Sequence, residues 1–300
     1  MSQAPQPFRT SFRDQIEPLL TSAKQYAKSI PLFTSFVLGT CLVFYAVGWF
    51  VHDLSASLGL WMEAIIYRHQ VYRIITYPFI HLSFPHILFN LIAFVPLSFS
   101  QERAQGTLKC LTTFMFPYTL VSAIFYCLIL IALNVTGLFG SGAIIGGLSG
   151  NVFALIVWQV RQISGQEISF FGLVQIPAHI YPIFLLLIIQ LLFPGAAFLG
   201  HLCGIATGYL FAYGYFDRIL PSDTFYERLE SYRPLSWIVD WSGFVSIHEA
   251  REGRGWLPIS QSDVDPTLTS SFYTSPPSNT TQSTSPPSSF PGQGHRLGSA

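Results

Sequence analysis

Six long apolar segments constrain what this 300-residue chain can fold into. Half of the residues are hydrophobic and only 10% are charged, whereas an ordinary soluble domain has about 25% charged residues. A bilayer core requires about 20 apolar residues per helix. The pattern therefore predicts an all-α integral membrane protein with six transmembrane helices, at residues 31–51, 83–100, 108–133, 146–160, 177–194 and 197–216.

The predicted helical core, residues 31–216, is flanked by polar segments of different character. Residues 1–30 mix basic and acidic side chains, which predicts a cytosolic N-terminal arm rather than a cleaved signal peptide. Residues 217–258 carry three tryptophans and predict a membrane-proximal cytosolic segment. Residues 259–300 begin with a Ser/Thr/Pro-rich stretch that cannot bury enough apolar area to fold, which predicts a disordered tail.

Charge and cysteine content argue against several classes of function. The net charge is zero, so nothing in the composition points to nucleic acid as a partner. The four cysteines lie in or beside apolar segments without CxxC spacing, which favours buried free thiols over disulfides or a zinc site. We expect neither a metal nor another cofactor.

Basic residues predict how the chain is oriented. Arg103, Lys109 and Arg161 would lie on the same side of the membrane as both termini. Basic residues are enriched on the cytosolic side of membrane proteins. Both termini are therefore predicted to be cytosolic, and the opposite ends of the helices are predicted to face the lumen.

The second segment carries polar residues that are costly in lipid. The stretch HLSFPHILFN contains His81, His86 and Asn90. His86 and Asn90 are four residues apart and share one helix face. Hydrogen bonding between helices is one explanation. A metal site is less well supported, because no carboxylate accompanies the histidines.

The fourth segment opens with glycines around a serine, in the stretch GGLSGNVF. Gly147 and Gly150 flank Ser149, although glycine lowers helix stability. An intramembrane serine commonly bonds back to its own helix. Small neighbours instead leave the hydroxyl accessible, and the free N–H groups of a helix N-terminus suit a developing oxyanion.

The sixth segment carries a ridge of small residues beside a histidine. Gly200, Gly204 and Gly208 recur every four residues, a spacing that allows close helix packing but is common on its own. His201 adjoins the first of them. Close packing would bring the imidazole of His201 near the group that the partner helix presents.

These residues are predicted to meet at the lumenal ends of their helices. A serine requires a neighbouring base to become a nucleophile. The charged residues between Thr107 and Phe216 are Lys109, Arg161 and Glu167, all placed toward the cytosol. A triad with a carboxylate is therefore not expected. A dyad remains, in which Ser149 attacks and His201 transfers the proton.

Taken together, the motifs resemble those of the rhomboid family of intramembrane serine proteases. HLSFPHILFN fits HxxxxHxxxN, GLSG fits GxSG, HLCGIATG fits HxxGxxxG, and ERAQG is similar to the turn after the second helix. The resemblance covers residues 30–216 and implies a six-helix rhomboid bundle that cleaves membrane-anchored proteins within or near a transmembrane helix.

The resemblance also implies roles for individual residues. Ser149 would be the nucleophile and His201 the general base, with His86 and Asn90 as oxyanion donors beside the Ser149 backbone N–H. Phe153 occupies the position of an aromatic residue that packs on the catalytic imidazole. The residues expected to support the active site are His81, His86, Asn90, Gly147, Gly150 and Phe153.

The tail carries a second resemblance, in the stretch FPGQGHRL at residues 290–297. It is similar to a short motif that recruits the valosin-containing-protein class of AAA ATPase segregase, with Phe290, Gly292, Gly294 and Leu297 at the matching positions. A chance match is the alternative. A six-helix core with this tail resembles the fungal Golgi rhomboids, which are associated with processing of sterol-responsive transcription factor precursors.

Two other classes of function compete with a protease. One is a catalytically silent, derlin-like scaffold that delivers clients to the segregase, and the tail motif fits either class. Retention of both Ser149 and His201 favours the protease. A transporter or channel would predict inverted repeats or midplane ion ligands, and the sequence indicates neither.

Overall fold

A computed structural model of the protein shows a mostly helical chain and describes residues 12–135, 143–163 and 165–252. The α-helices are α1 (Phe12–Ser29), α2 (Leu32–Val47), α3 (Leu54–Leu58), α4 (Met62–Arg68), α5 (Arg73–Thr76), α6 (Phe84–Gln105), α7 (Thr107–Thr113), α8 (Ser122–Val135), α9 (Ser149–Gln162), α10 (Tyr181–Leu192), α11 (Phe198–Ala212), α12 (Asp223–Glu230), α13 (Ser236–Val239) and α14 (Ile247–Arg251). A π-helix (Phe114–Val121) joins α7 to α8, short 3-10 helices lie at Tyr77–Phe79 and Arg233–Leu235, and two strands, β1 (Glu167–Phe170) and β2 (Val174–Pro177), form an antiparallel hairpin.

Each of the six predicted apolar segments contains a helix, but the helices differ in length. Among the described residues, α6 and the continuous run Thr107–Val135 are long and apolar enough to cross a membrane. A third crossing is counted if α1 and α2 form one span, although they meet at an angle of 104°. The apolar helices α10 and α11 are shorter.

The fifth helix begins later than the sequence predicted. The prediction placed it at 177–194, whereas α10 spans Tyr181–Leu192. The cause is the hairpin, in which Glu167 pairs with Pro177 and Phe170 with Val174. Strand pairing uses the backbone up to Pro177, and α10 starts after the turn that follows.

Contact between α9 and α11 depends on glycine. A methyl group built on Gly204 would overlap the carbonyl oxygen of Gly150 and lie 2.8 Å from its carbonyl carbon. One on Gly208 would lie 2.8 Å from the Cα of Ala154. The backbones of the two helices are therefore in direct contact, as the small-residue spacing predicted.

Buried Glu102 of α6 ties the start of α2 to the bundle. Its carboxylate accepts hydrogen bonds of 2.8 Å from the backbone N–H groups of Phe33 and Thr34 and from the hydroxyls of Thr34 and Thr107. The residue before α2, Pro31, provides no side-chain cap. Glu102 thus satisfies N–H groups that a helix N-terminus leaves unpaired.

The segment after the last core helix docks onto the same end of the bundle. Thr107 donates its N–H to Val245 at 2.8 Å, and its hydroxyl accepts from the Val245 N–H at 2.9 Å. Lys109 pairs with Asp223 at 2.8 Å, and this hydrogen bond lowers the pKa of the Asp223 carboxyl. The described part of the predicted membrane-proximal segment is therefore attached to the core.

We expect Gly204→Ala to destabilise the bundle, because the added methyl must displace the α9 backbone. Overpacking of this kind costs about 1–3 kcal/mol. Gly39→Ala in α2 is the matched control, because a methyl group there has no neighbour within 4 Å. Thermal unfolding in detergent should show a lower midpoint for Gly204→Ala alone. Equal midpoints for both variants would contradict the packing described here.

Candidate active site

Ser149 is the first residue of α9. Gly146 and Gly147, which precede Leu148, form the turn that leads into the helix. Gly147 has a φ of +107°, which side chains disfavour. A methyl group on Gly146 would lie 2.7 Å from the carbonyl oxygen of Ile80. The first N–H groups of a helix have no partner within it, and the N–H of Ser149 is one of these at the start of α9.

His201 of α11 contacts Ser149 directly. Its Nε2 lies 2.8 Å from the serine Oγ, a hydrogen-bond distance. The His201 side chain is buried, and its ring lies 4.9 Å from that of Phe153, tilted by 38°. The close contact of α9 and α11 at Gly150 and Gly204 brings the two side chains within reach.

The other ring nitrogen of His201 has no hydrogen-bond partner among the described residues. In a serine–histidine–aspartate triad, that nitrogen donates to a carboxylate. Among the described residues, no carboxylate is hydrogen bonded to this nitrogen of His201.

His86 and Asn90 face the glycine turn before Ser149. A methyl group on Gly147 would lie 2.7 Å from Nε2 of His86 and 3.4 Å from Nδ2 of Asn90. The Asn90 amide donates to the His86 carbonyl oxygen at 3.0 Å and has a second N–H to donate. A ring nitrogen of His86 and the amide nitrogen of Asn90 thus lie next to the turn at Gly147.

His81 lies one ring further from the serine. Its imidazole packs against His86 with the ring centroids 5.1 Å apart. The ring supports the position of His86 rather than contacting Ser149. Within the described ranges, no group of three or more histidine, cysteine or acidic residues is arranged to hold a metal ion.

A narrow cleft opens beside the Ser149–His201 pair. Tyr77, Tyr126 and Gly200 are among the residues that line it. The Tyr77 carbonyl oxygen also accepts from the Gly147 N–H at 2.9 Å, which holds the turn in place. A small group next to the serine could enter this cleft.

Sequence reasoning missed the polar contacts behind the site. Fully buried Asn151 donates to Thr119 of the π-helix at 2.8 Å, and Ser122 lies 2.7 Å from the Thr207 hydroxyl of α11. Both pairs connect the third helical run to the helices that carry Ser149 and His201. The position of Asn151, two residues after Ser149 and followed by an apolar stretch, was the sequence signal for a buried polar contact.

The structure brings the predicted core residues to one end of the bundle or to the α9–α11 contact. They are His81, His86, Asn90, Gly147, Ser149, Gly150, Phe153, Gly200, His201, Gly204 and Gly208. The four predicted tail residues, Phe290, Gly292, Gly294 and Leu297, lie outside the described residues.

Comparison with known proteins gives consistent matches. A family model described as the Rhomboid domain matches residues 68–218. Rhomboid-type serine protease 2 of Gibberella zeae is 34% identical over 239 residues, covering 79% of this chain and 86% of the relative. Rhomboid-like protein 15 of Arabidopsis thaliana is 30% identical over 295 residues, covering 93% of this chain and 72% of the relative.

A third relative, Rhomboid-type serine protease B of Aspergillus fumigatus, is 28% identical and covers 81% of this chain and 88% of its own length. The family model spans half of the chain and includes every core residue discussed above. The chain belongs to the rhomboid family of intramembrane serine proteases.

Proposed function

We propose that this protein cleaves membrane-anchored proteins within or near a transmembrane helix, with Ser149 as nucleophile and His201 as general base. The observation that carries the proposal is the 2.8 Å contact between His201 Nε2 and Ser149 Oγ. The imidazole accepts the serine proton as Oγ attacks the carbonyl carbon, and returns it to the leaving amine. Water then attacks the acyl group and gives a proton to the imidazole, which returns that proton to Ser149 Oγ as the acyl group leaves.

The negative charge on the tetrahedral intermediate requires hydrogen-bond donors. We assign this role to the backbone N–H of Ser149 and the side chains of His86 and Asn90, which lie next to Gly147. Removal of one such donor costs about 10²–10³-fold in kcat in other serine proteases. Phe153 packs on the imidazole and limits the orientations of its ring.

In this proposal, the chemistry takes place inside the bilayer. We propose that the six apolar helices all cross or enter the membrane, with both termini cytosolic and the Ser149 end of α9 open to the lumen. Buried polar side chains at this end bind water at a depth from which the surrounding lipid would otherwise exclude it. A substrate helix must unwind there, because a peptide bond inside an intact helix is shielded.

Cleavage of a transmembrane substrate in proteoliposomes tests the proposal. We expect cleavage by the wild-type protein and no product from Ser149→Ala. Ser98→Ala is the matched control, because Ser98 is another buried helix serine but hydrogen bonds to Thr34 near Glu102. In the same assay, Asn90→Ala should lower kcat by about 10²–10³-fold.

Absence of cleavage by a folded wild-type protein would favour the derlin-like scaffold. Cleavage that persists in Ser149→Ala would remove the serine from the mechanism. Loss of activity in Ser98→Ala to the same extent would show that the assay reports packing rather than chemistry.

We further propose that residues 290–297 recruit a segregase of the valosin-containing-protein class, and that the protein acts in the Golgi on precursors such as sterol-responsive transcription factors. Support comes from the spacing of Phe290 and Leu297 around glycines, which suits docking of an extended peptide. Deletion of 290–297 should abolish binding of the purified ATPase but leave cleavage of a minimal substrate unchanged. Binding that survives the deletion would contradict the motif.

A further inference from the structure

Helix α1 has one apolar face that the described protein leaves uncovered. Ile16, Leu19, Ala23 and Tyr26 recur at helical spacing along it. The Leu19 side chain is 63% exposed. The opposite stripe consists of residues that favour water: Glu17, Thr21, Lys24 and Lys28.

The direction of α1 follows from its neighbours. α2 runs antiparallel to α6, because Thr34 near its start bonds Ser98 at 2.9 Å and Phe44 near its end stacks on Phe79 before α6. Because α6 is long and apolar enough to cross a membrane, a membrane-crossing α6 has α2 running across the bilayer beside it. The 104° angle between α1 and α2 then places α1 almost in the plane of the membrane.

The apolar face of α1 points toward the middle of α6 rather than beyond its end. Tyr26, on this face, stacks on Phe99 of α6 with ring centroids 5.9 Å apart. Phe99 lies six residues before the end of α6, or about 9 Å inside that end. Arg103, nearer the end, donates to the Ser29 carbonyl oxygen at 3.2 Å and fixes the end of α1 there.

Two exposed tryptophans belong to a segment that contacts the start of α2. Gly243 accepts the Leu32 N–H at 2.7 Å, which places the preceding turn at the start of α2. Trp237 and Trp241 of that region are 69% and 58% exposed. Tryptophan is enriched where membranes meet water.

We propose that α1 is an interfacial helix whose Leu19 face inserts into the boundary between lipid headgroups and acyl chains. The polar stripe faces water, and the long side chains of Lys24 and Lys28 reach lipid phosphates from its flank. Lipid is the occupant that the bend, the direction of Tyr26 and the neighbouring tryptophans favour. The helix thereby anchors the start of α2, which Glu102 also holds.

Fluorescence quenching in the full-length protein tests this placement. A nitrobenzoxadiazole label is attached to Leu19→Cys or to the matched polar-face variant Thr21→Cys, both in the Ser149→Ala background so that catalysis plays no part. The proteins are reconstituted in phosphatidylcholine–phosphatidylserine vesicles. Unsubstituted protein, treated in parallel, corrects for labelling of the native cysteines.

We expect quenchers attached to acyl chains near the headgroup to quench position 19 several-fold more than position 21, and aqueous iodide to show the reverse order. Equal access of iodide to both positions would show that α1 lies in water. Protection of position 19 from both quenchers would show that protein covers the face, either a second copy or residues 253–300. Either result would overturn the proposal.

Discussion

The arrangement of the candidate active site depends on direct contact between the backbones of α9 and α11. Gly150 and Gly204 meet at this contact, and a methyl group on Gly204 would have no room there. Ser149 precedes the first glycine by one residue and His201 precedes the second by three. The Ser149–His201 hydrogen bond therefore follows from the packing of α9 against α11. Van der Waals contact, rather than the hydrophobic effect, drives helix association in membranes, so close packing of small residues is favoured there. The ring of Phe153 and the turn at Gly147 complete the geometry around this pair.

The buried imidazole of His201 makes few hydrogen bonds. His201 has a single hydrogen-bond partner among the described residues, and its second nitrogen has none. The imidazole is buried and contacts the ring of Phe153, which limits its orientation. Further from the reacting atoms, Asn151 and Thr207 hydrogen bond to residues of the third helical run. Both contacts use uncharged side chains to tie α9 and α11 to that run.

Much of this structure could be predicted from the sequence, because lipid imposes simple rules on composition. Apolar segments predicted the helices, and costly polar residues such as His86, Asn90 and Ser149 pointed to the site. The hairpin before α10 could not be predicted, because its strands are short and lie beside a strongly apolar run. The bend between α1 and α2 was also missed, since the amphipathic pattern of α1 does not report its angle to the next helix. Docking of Val245 on Thr107 depends on contacts between residues far apart in the chain, which periodicity cannot report.

Labelling with a fluorophosphonate probe tests the central claim, that packing of α9 against α11 activates Ser149 through His201. The probe reacts with nucleophilic serines, and mass spectrometry of the purified protein locates the adduct. We predict a single adduct on Ser149 in the wild-type protein and none in a folded His201→Ala variant. Labelling of Ser149 at the same rate without His201, or an adduct on another serine, would contradict the account.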